Sequence, residues 1–233
     1  MKKIRSLSIF FPAYNDAYTL PYLISRVIDV ASEVADTFEI LIINDGSTDN
    51  TIEIVKELQK QYACLNLISH RKNKGYGGAL ISGFKQARYE WIFYTDGDGQ
   101  YDPNELLQLV GEVNIDVDVV NGYKIKRSDS LARKILGGIY NFTLHKIFEI
   151  SISDIDCDFR LIRRKSLKKV RLTSTSGFIC LQLVLGLQKT GARFREVGVH
   201  HYPRPVGSSQ FFQPKHILKT LKEFLEFYRN KNE

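Results

Sequence analysis

Cysteine, methionine and tryptophan are scarce in this sequence, and none of its apolar runs is long. The 233 residues include three cysteines, one methionine and one tryptophan. No two of the cysteines, Cys64, Cys157 and Cys180, have C-x-x-C spacing, which excludes a zinc ribbon and a disulfide framework. The sequence therefore favours reduced thiols in a cytosolic protein. The longest apolar run, residues 178–187, is interrupted by a glutamine and a glycine. It is far shorter than the roughly 20 residues that span a bilayer.

The N-terminal segment also lacks the pattern of a signal peptide. It is basic, but Pro12, Asn15 and Asp16 break the apolar stretch that follows, so no signal peptide is predicted. These absences argue against integral membrane proteins, collagens, coiled coils and disulfide scaffolds. Hydrophobic residues make up 43% of the chain, which is enough to build the core of one domain of ordinary size.

Charge is distributed unevenly along the chain, which has a formal net charge of +7. Residues 1–120 hold 11 basic and 17 acidic residues, whereas residues 121–233 hold 22 basic and 9 acidic residues. An acidic first half suits metal binding. A basic second half suits phosphates, nucleic acid or an anionic membrane surface.

Apolar runs of strand length alternate with helical patterns over the first 120 residues. Continuous apolar strands separated by amphipathic helices predict an α/β fold with a mostly parallel, covered sheet. The predicted strands are Leu7–Phe11, Phe38–Ile43, Leu65–Ser69, Trp91–Thr95 and Val117–Asn121.

The second half is less regular, and its elements are predicted one by one. The patterns indicate one domain over residues 1–212, followed by an amphipathic helix over 213–233 that packs on the domain or lies at an interface. The predicted elements are a basic helix over 130–147, a strand over 156–162, a buried helix over 176–189, a strand over 194–200, a loop over 201–213 and a helix over 214–229.

Acidic residues follow three of the strands that the sequence predicts. In a parallel sheet, ligands bind beyond the carboxyl ends of the strands. Asp96 and Asp98 are alternate residues of an extended segment, so both carboxylates can face one point. Together with Gln100 they offer oxygen ligands for Mg²⁺ or Mn²⁺. The alternative is a simple turn after the strand.

Two further loops follow predicted strands. Asp45 begins the loop Asp-Gly-Ser-Thr-Asp, where it either accepts hydrogen bonds from a nucleoside or belongs to ordinary turn and helix-cap chemistry. Gly75 lies in Asn-Lys-Gly-Tyr-Gly-Gly-Ala before a helix. Glycines there either let the backbone approach a phosphate or form a flexible helix entry. The spacing is not that of a P-loop.

Four ordered motifs, PAYND, NDGSTDNT, NKGYGGAL and TDGDGQYDP, resemble those of the family-2 inverting glycosyltransferases with a GT-A fold. The sequence is most similar to the dolichol- or polyprenol-phosphate sugar transferases, over nearly the whole chain. This resemblance implies a nucleotide-sugar donor and a divalent metal ion. The positions that it implies for the nucleotide sugar are Pro12, Tyr14, Asp16, Asp45 and Gly75, with Arg204 near its diphosphate. Asp96 and Asp98 are implied for catalysis, and the same two aspartates with Gln100 are implied for metal binding.

The segment Asp154–Leu161 resembles the acceptor-side motif of the same family, although Asp158 stands where a small residue is usual. Asp154 or Asp156 would act as a general base if the acceptor were a hydroxyl. An acceptor phosphate is already ionised, and the carboxylates would then orient cations or form a salt-bridged cluster. The residues expected to contact an acceptor phosphate are Arg127, Arg133, Arg160 and Ser209.

The resulting expectation is a metal-dependent inverting transferase that moves a hexose from a UDP- or GDP-linked sugar to a polyprenyl or dolichyl phosphate. One alternative is a hydroxyl acceptor, such as a saccharide or a lipid-linked sugar. Another is a non-enzymatic basic protein that binds a membrane or nucleic acid, although nucleic acid is not the expected partner. A cytoplasmic location is expected, while peripheral attachment at the inner face of the membrane and self-association are both left open.

Overall fold

A twisted sheet runs through the computed structural model, which describes residues 2–127, 131–206 and 214–231. Within these residues the sheet has seven strands in the order β3-β2-β1-β4-β6-β5-β7. The strands are β1 (Ile4–Ala13), β2 (Ala35–Asn44), β3 (Leu65–Ser69), β4 (Trp91–Thr95), β5 (Val119–Arg127), β6 (Phe159–Arg163) and β7 (Phe194–His201).

Strands β1 to β4 pair in parallel, as the alternation of strands and helices predicts. Their side chains are apolar on both faces because helices cover both sides of the sheet. The helices are α1 (Leu20–Val34), α2 (Thr51–Gln61), α3 (Tyr76–Gln86), α4 (Leu106–Glu112), α5 (Leu131–Phe148), α6 (Arg164–Leu167), α7 (Ile179–Lys189) and α8 (Pro214–Lys231). None of the described helices is both long and apolar enough to cross a membrane.

Strand β6 is antiparallel to both of its neighbours, β4 and β5. It begins at Phe159, so the prediction of a strand from residue 156 is wrong at its start, and Asp156 and Asp158 both precede the strand. Strand β5 extends to Arg127, further than predicted, because its pairing with β7 continues through Lys124 and Lys126. Part of the basic run therefore lies on a strand rather than at the start of a helix.

Helix α8 contacts the domain through aromatic rings. The ring of Phe227 lies 5.3 Å from that of Phe178, and the ring of Phe224 lies 6.1 Å from that of Phe148, measured between centroids. These contacts join α8 to a cluster formed by α5, α7 and the connection between α5 and β6.

Candidate functional site

The parallel strands β1, β2 and β4 end at one edge of the sheet, and the acidic segments predicted from the sequence follow them there. Loops from these strands contact one another directly. The amide of Asp45 donates to the carbonyl of Ala13, and the amide of Gly97 donates to the carbonyl of Pro12. The three strand ends therefore form one continuous surface.

Asp98 lies at the centre of this edge. Its side chain is buried, and its Oδ2 accepts a hydrogen bond from Nη2 of Arg204 at 2.6 Å. Its Oδ1 accepts from the amide of Gln100 at 3.0 Å, while Nε2 of Gln100 donates to the carbonyl of Tyr202. The segment that follows β7 is thereby joined to the β4 loop. The Nε of Arg204 is buried and has no hydrogen-bond partner within the described residues.

Asp96 points toward a second group of side chains. Its Oδ1 accepts a hydrogen bond from the hydroxyl of Tyr76 at 2.9 Å. Burial, followed by the charges of Asp158 and Asp98, raises the pKa of Asp96 well above its ordinary value. Burial also raises the pKa of Asp158, despite the nearby Lys124 and Arg160. These carboxyls are crowded, and a cation would stabilise their charged forms.

Asp16 supplies a third carboxyl to this edge. Its Oδ2 accepts from the amide of Tyr14 at 2.9 Å. Burial, with a smaller contribution from the charge of Asp98, raises its pKa from 3.8 to about 6. Tyr14 is partly exposed beside it, whereas Pro12 is buried and contributes through its carbonyl.

Asp45 is only 4% exposed and receives its hydrogen bonds from the chain itself. The amides of Lys74 and Gly75 donate to its Oδ1 and Oδ2 at 2.8 and 2.9 Å, and Nδ1 of His70 lies 2.6 Å from its Oδ1. Asp45 therefore shapes the loop that precedes α3. Its predicted contact with a nucleoside stays a prediction.

Gly75 and Gly77 contact protein backbone. Gly75 has a positive φ of 84°, and a Cβ there would overlap the carbonyl oxygen of Thr175. A Cβ on Gly77 would overlap the carbonyl oxygen of Ser174. These two glycines therefore allow residues 174–176, called here the serine loop, to press against the start of α3.

The acceptor-side carboxylates lie around Lys124. Its amide donates to Oδ2 of Asp154 at 3.2 Å, and its Nζ donates to the carbonyl of Asp156 at 2.7 Å. The neighbouring carboxylates, above all Asp154, raise the pKa of the lysine despite its burial. Lys124 of β5 therefore lies among the three acidic residues that precede β6, which are Asp154, Asp156 and Asp158.

The expectation that Arg160 contacts an acceptor phosphate is wrong. The residue is 0% exposed. Its guanidinium donates to the side chain of Asn121, the hydroxyl of Tyr94 and the carbonyls of Ile155 and Cys157. Burying such a charge requires hydrogen-bond partners, and here they fasten the turn before β6 to the sheet.

The other acceptor-side residues fall largely outside the described part. Ser209 is outside the described residues, as are the side chains of Arg127 and Arg133. Sequence reasoning missed Tyr76 and His70, which contact Asp96 and Asp45. Each had a signal, because Tyr76 lies within the NKGYGGAL motif and His70 directly follows β3.

The acidic edge fits a metal ion that also binds substrate. Within the described ranges no three His, Cys, Asp or Glu side chains are grouped so that they could hold a metal ion. Mg²⁺ commonly binds to one or two protein carboxylates and completes its coordination with water and substrate phosphate. Asp98 and Asp96 suit that role, and the unpartnered Nε of Arg204 suits a phosphate oxygen.

Solved structures share this architecture. Glucosyl-3-phosphoglycerate synthase from Mycobacterium tuberculosis, in complex with Mn²⁺, uridine diphosphate and glucosyl-3-phosphoglycerate, matches with a TM-score of 0.67 and 17% identity, over 86% of this chain and 73% of that one. The same enzyme with uridine diphosphate matches with a TM-score of 0.67 and 15% identity, over 94% and 79%. The likeness confirms the predicted GT-A type α/β fold.

Curated relatives are more similar in sequence. An undecaprenyl-phosphate 4-deoxy-4-formamido-L-arabinose transferase from Yersinia enterocolitica is 31% identical over 90% of this chain and 64% of its own length. The transferase of the same name from Salmonella choleraesuis is 30% identical over 89% and 63%. The chain thus spans less than two thirds of the length of these relatives.

The family assignment rests on the motif region itself. The model of the family described as "Glycosyl transferase family 2" matches residues 8–171, which contain most of β1, all of β2 to β6 and the acidic strand ends. The match covers more than half of the chain and all four motifs. This chain belongs to glycosyl transferase family 2.

Proposed function

We propose that this chain is the catalytic part of a metal-dependent inverting glycosyltransferase that moves a sugar from a nucleoside diphosphate to a polyprenyl phosphate. The catalytic domain would comprise residues 1–212, with residues 213–233 as a helix packed on it. The observation that carries the proposal is the convergence of Asp96, Asp98 and Arg204 at one sheet edge. The names of the relatives, which include undecaprenyl phosphate, support the acceptor class.

The donor diphosphate would bind at the acidic edge. Asp98, with Asp96 or Gln100, would hold Mg²⁺ or Mn²⁺. When bound, such an ion offsets the negative charge that develops on the leaving diphosphate. Arg204 would contribute a second positive charge through its free Nε. Pro12, Tyr14, Asp16, Asp45 and Gly75 would surround the nucleoside.

The acceptor would approach from the side of Lys124. An acceptor phosphate is already ionised and attacks the anomeric carbon from the face opposite the leaving group, which inverts the configuration. It needs cations rather than a base, and Lys124 is held near this position by Asp154 and Asp156. Arg127, Arg133 and Ser209 remain proposed contacts. With a hydroxyl acceptor, Asp154 or Asp156 would instead be needed to remove a proton.

We further propose that the protein lies at the cytoplasmic face of a membrane through α8. The exposed side of this helix carries Leu218, Leu221 and Leu225, which are 65%, 51% and 50% exposed. Lys222 and Arg229 flank this stripe, with the acidic Glu226 beside Lys222. Basic side chains therefore exceed acidic ones beside the stripe, which disfavours pairing of two copies through it. An anionic bilayer complements both the apolar and the basic side chains.

Calorimetric titration with UDP and GDP, each with and without Mn²⁺, tests the donor site. Metal-dependent binding of one nucleotide is expected, and a folded chain that binds neither would contradict the proposal. Donor and polyprenyl phosphate are then supplied together. Transfer that persists when both Asp154 and Asp156 are alanine supports the phosphate acceptor, whereas transfer only to a saccharide supports the alternative.

Sedimentation with phosphatidylglycerol vesicles tests the membrane surface. Leu221→Glu is expected to reduce binding. Ile115→Glu, a change at a residue that is 78% exposed elsewhere, should leave it unaltered. Equal sedimentation of the two variants, or concentration-dependent dimers that Leu221→Glu abolishes, would contradict a membrane contact.

A further inference from the structure

Helix α8 makes polar contacts that its aromatic packing does not require. The carboxylate of Glu223 accepts hydrogen bonds from the hydroxyls of Ser174 and Ser176, the second at 2.8 Å. The Nζ of Lys219 donates to Oγ1 of Thr175 at 2.6 Å. All three residues of the serine loop are therefore fastened to one helix.

The serine loop presses in turn on residues 74–77 at the start of α3, called here the glycine segment. Its contacts with Gly75 and Gly77 run from backbone to backbone, with no side chain between them to absorb a displacement. Close-packed groups of this kind transmit a shift rather than damp it. The position of the serine loop therefore constrains the position of the glycine segment.

The glycine segment in turn constrains Asp45. Both carboxylate oxygens of Asp45 accept amide hydrogen bonds from this segment, at Lys74 and Gly75. A continuous series of contacts thus leads from Glu223 through the serine loop and the glycine segment to Asp45, the residue proposed to contact the donor nucleoside.

We propose that Glu223, assisted by Lys219, is a positioning residue for the donor nucleotide, acting through the serine loop on the glycine segment and Asp45. This inference rests on the proposed function only for the identity of the ligand. The other part of the inference, that α8 holds the glycine segment in place, does not depend on which ligand binds. Donor affinity then depends on how firmly α8 is docked.

Glu223→Ala tests the inference, with Glu226→Ala as its matched control. Glu226 lies one turn further along α8, and its exposed carboxylate is 3.8 Å from Nζ of Lys222. Hydrogen exchange of the Lys74 and Gly75 amides is expected to be faster in Glu223→Ala than in the control. Nucleotide binding is expected to weaken about fivefold, within the usual range for changes along a contact path. Glu223→Gln, whose amide oxygen still accepts from serine, should recover most of both.

Unchanged exchange at Lys74 and Gly75 in a folded Glu223→Ala variant would overturn the inference, whether or not any nucleotide binds. If neither UDP nor GDP binds the unaltered chain, the proposed function is contradicted. The exchange rates of the Lys74 and Gly75 amides still decide whether α8 holds the glycine segment in place. If Glu223→Ala does not fold, Lys219→Met replaces it, with Lys222→Met as the control. Equal exchange in that pair would overturn the inference in the same way.

Discussion

Asp45 and the pair Asp96 and Asp98 occupy equivalent places after two strands of one sheet, yet their surroundings differ. Asp45 receives two backbone amides and a histidine. Asp96 receives a tyrosine hydroxyl and lies among like charges that help raise its pKa. The first carboxylate is satisfied by the protein and organises a loop. The second group is crowded, and a cation would stabilise its charged form. Similar acidic turns therefore differ in what satisfies them: the protein itself satisfies Asp45 after β2, whereas the carboxyls after β4 are the ones proposed to hold a metal ion.

Asp98→Asn should produce the largest effect, a fall in kcat/KM for sugar transfer of about a thousandfold, because it weakens the proposed ligand of a charge-neutralising ion worth several kcal/mol. Initial rates at saturating Mn²⁺ measure it. Asp116→Asn is the control. Asp116 is exposed and its carboxylate pairs with Arg193, so the variant should keep a rate within about twofold of that of the unaltered chain. Comparable losses in both variants would contradict a special role for β4.

Asp45→Asn should lower the free energy of unfolding by about 2 kcal/mol, because one amide nitrogen must then face a backbone N–H donor. Asp96→Asn should raise the free energy of unfolding at pH 8 in EDTA. The asparagine oxygen can still accept a hydrogen bond from Tyr76, and the carboxylate charge that lies close to other acidic groups is removed. Urea denaturation of both variants measures the contrast. Changes of the same sign would contradict the difference drawn between the two strand ends.

Gly77→Ala should destabilise the fold by about 2 kcal/mol, because its methyl group meets the backbone of the serine loop rather than a side chain that can move. Gly111→Ala in α4 is the matched control. No atom lies within 4 Å of its added Cβ, and a gain of about 0.5–1 kcal/mol is expected from the lower backbone entropy. Equal stabilities would show that the glycine segment tolerates a side chain.

Asp16→Asn should change how stability depends on pH. The folded chain holds the proton of Asp16 more tightly than the unfolded chain, since burial raises the pKa from 3.8 to about 6. This contribution to stability is complete below pH 3.8 and is lost as the pH rises through about 6. In EDTA, the variant should therefore gain stability relative to the unaltered chain across that interval. Denaturation between pH 4 and 8 measures the free energy of unfolding of both chains. A constant difference between them over this range would contradict the prediction.

Much of the first half could be predicted because its signals are local. The bounds predicted for β3 and β4 are those observed, and β1 and β2 differ only at their ends. The acidic edge follows from the rule that parallel strands end together. The family resemblance added the roles that local patterns leave open.

The second half depends on contacts between residues far apart in sequence. Nothing in the sequence around Arg160 reveals that Asn121 and Tyr94 enclose its guanidinium, so the sequence predicts a phosphate contact for a residue that is buried in the fold. The glycines before α3 gave a similar ambiguity. Their neighbour is the serine loop, almost a hundred residues away, and only the folded chain brings it there.

The reversed strand β6 also has a consequence for the order of assembly. It separates β4 from β5, so β5 and β7 have no place in the sheet until residues 159–163 have paired with β4. A chain emerging from the ribosome can form its four parallel strands first and then exposes the β4 edge over the synthesis of more than sixty further residues. An open apolar edge of this kind recruits other chains. We therefore expect the chain to be vulnerable to aggregation in this interval, and slow translation before residue 159 to prolong it.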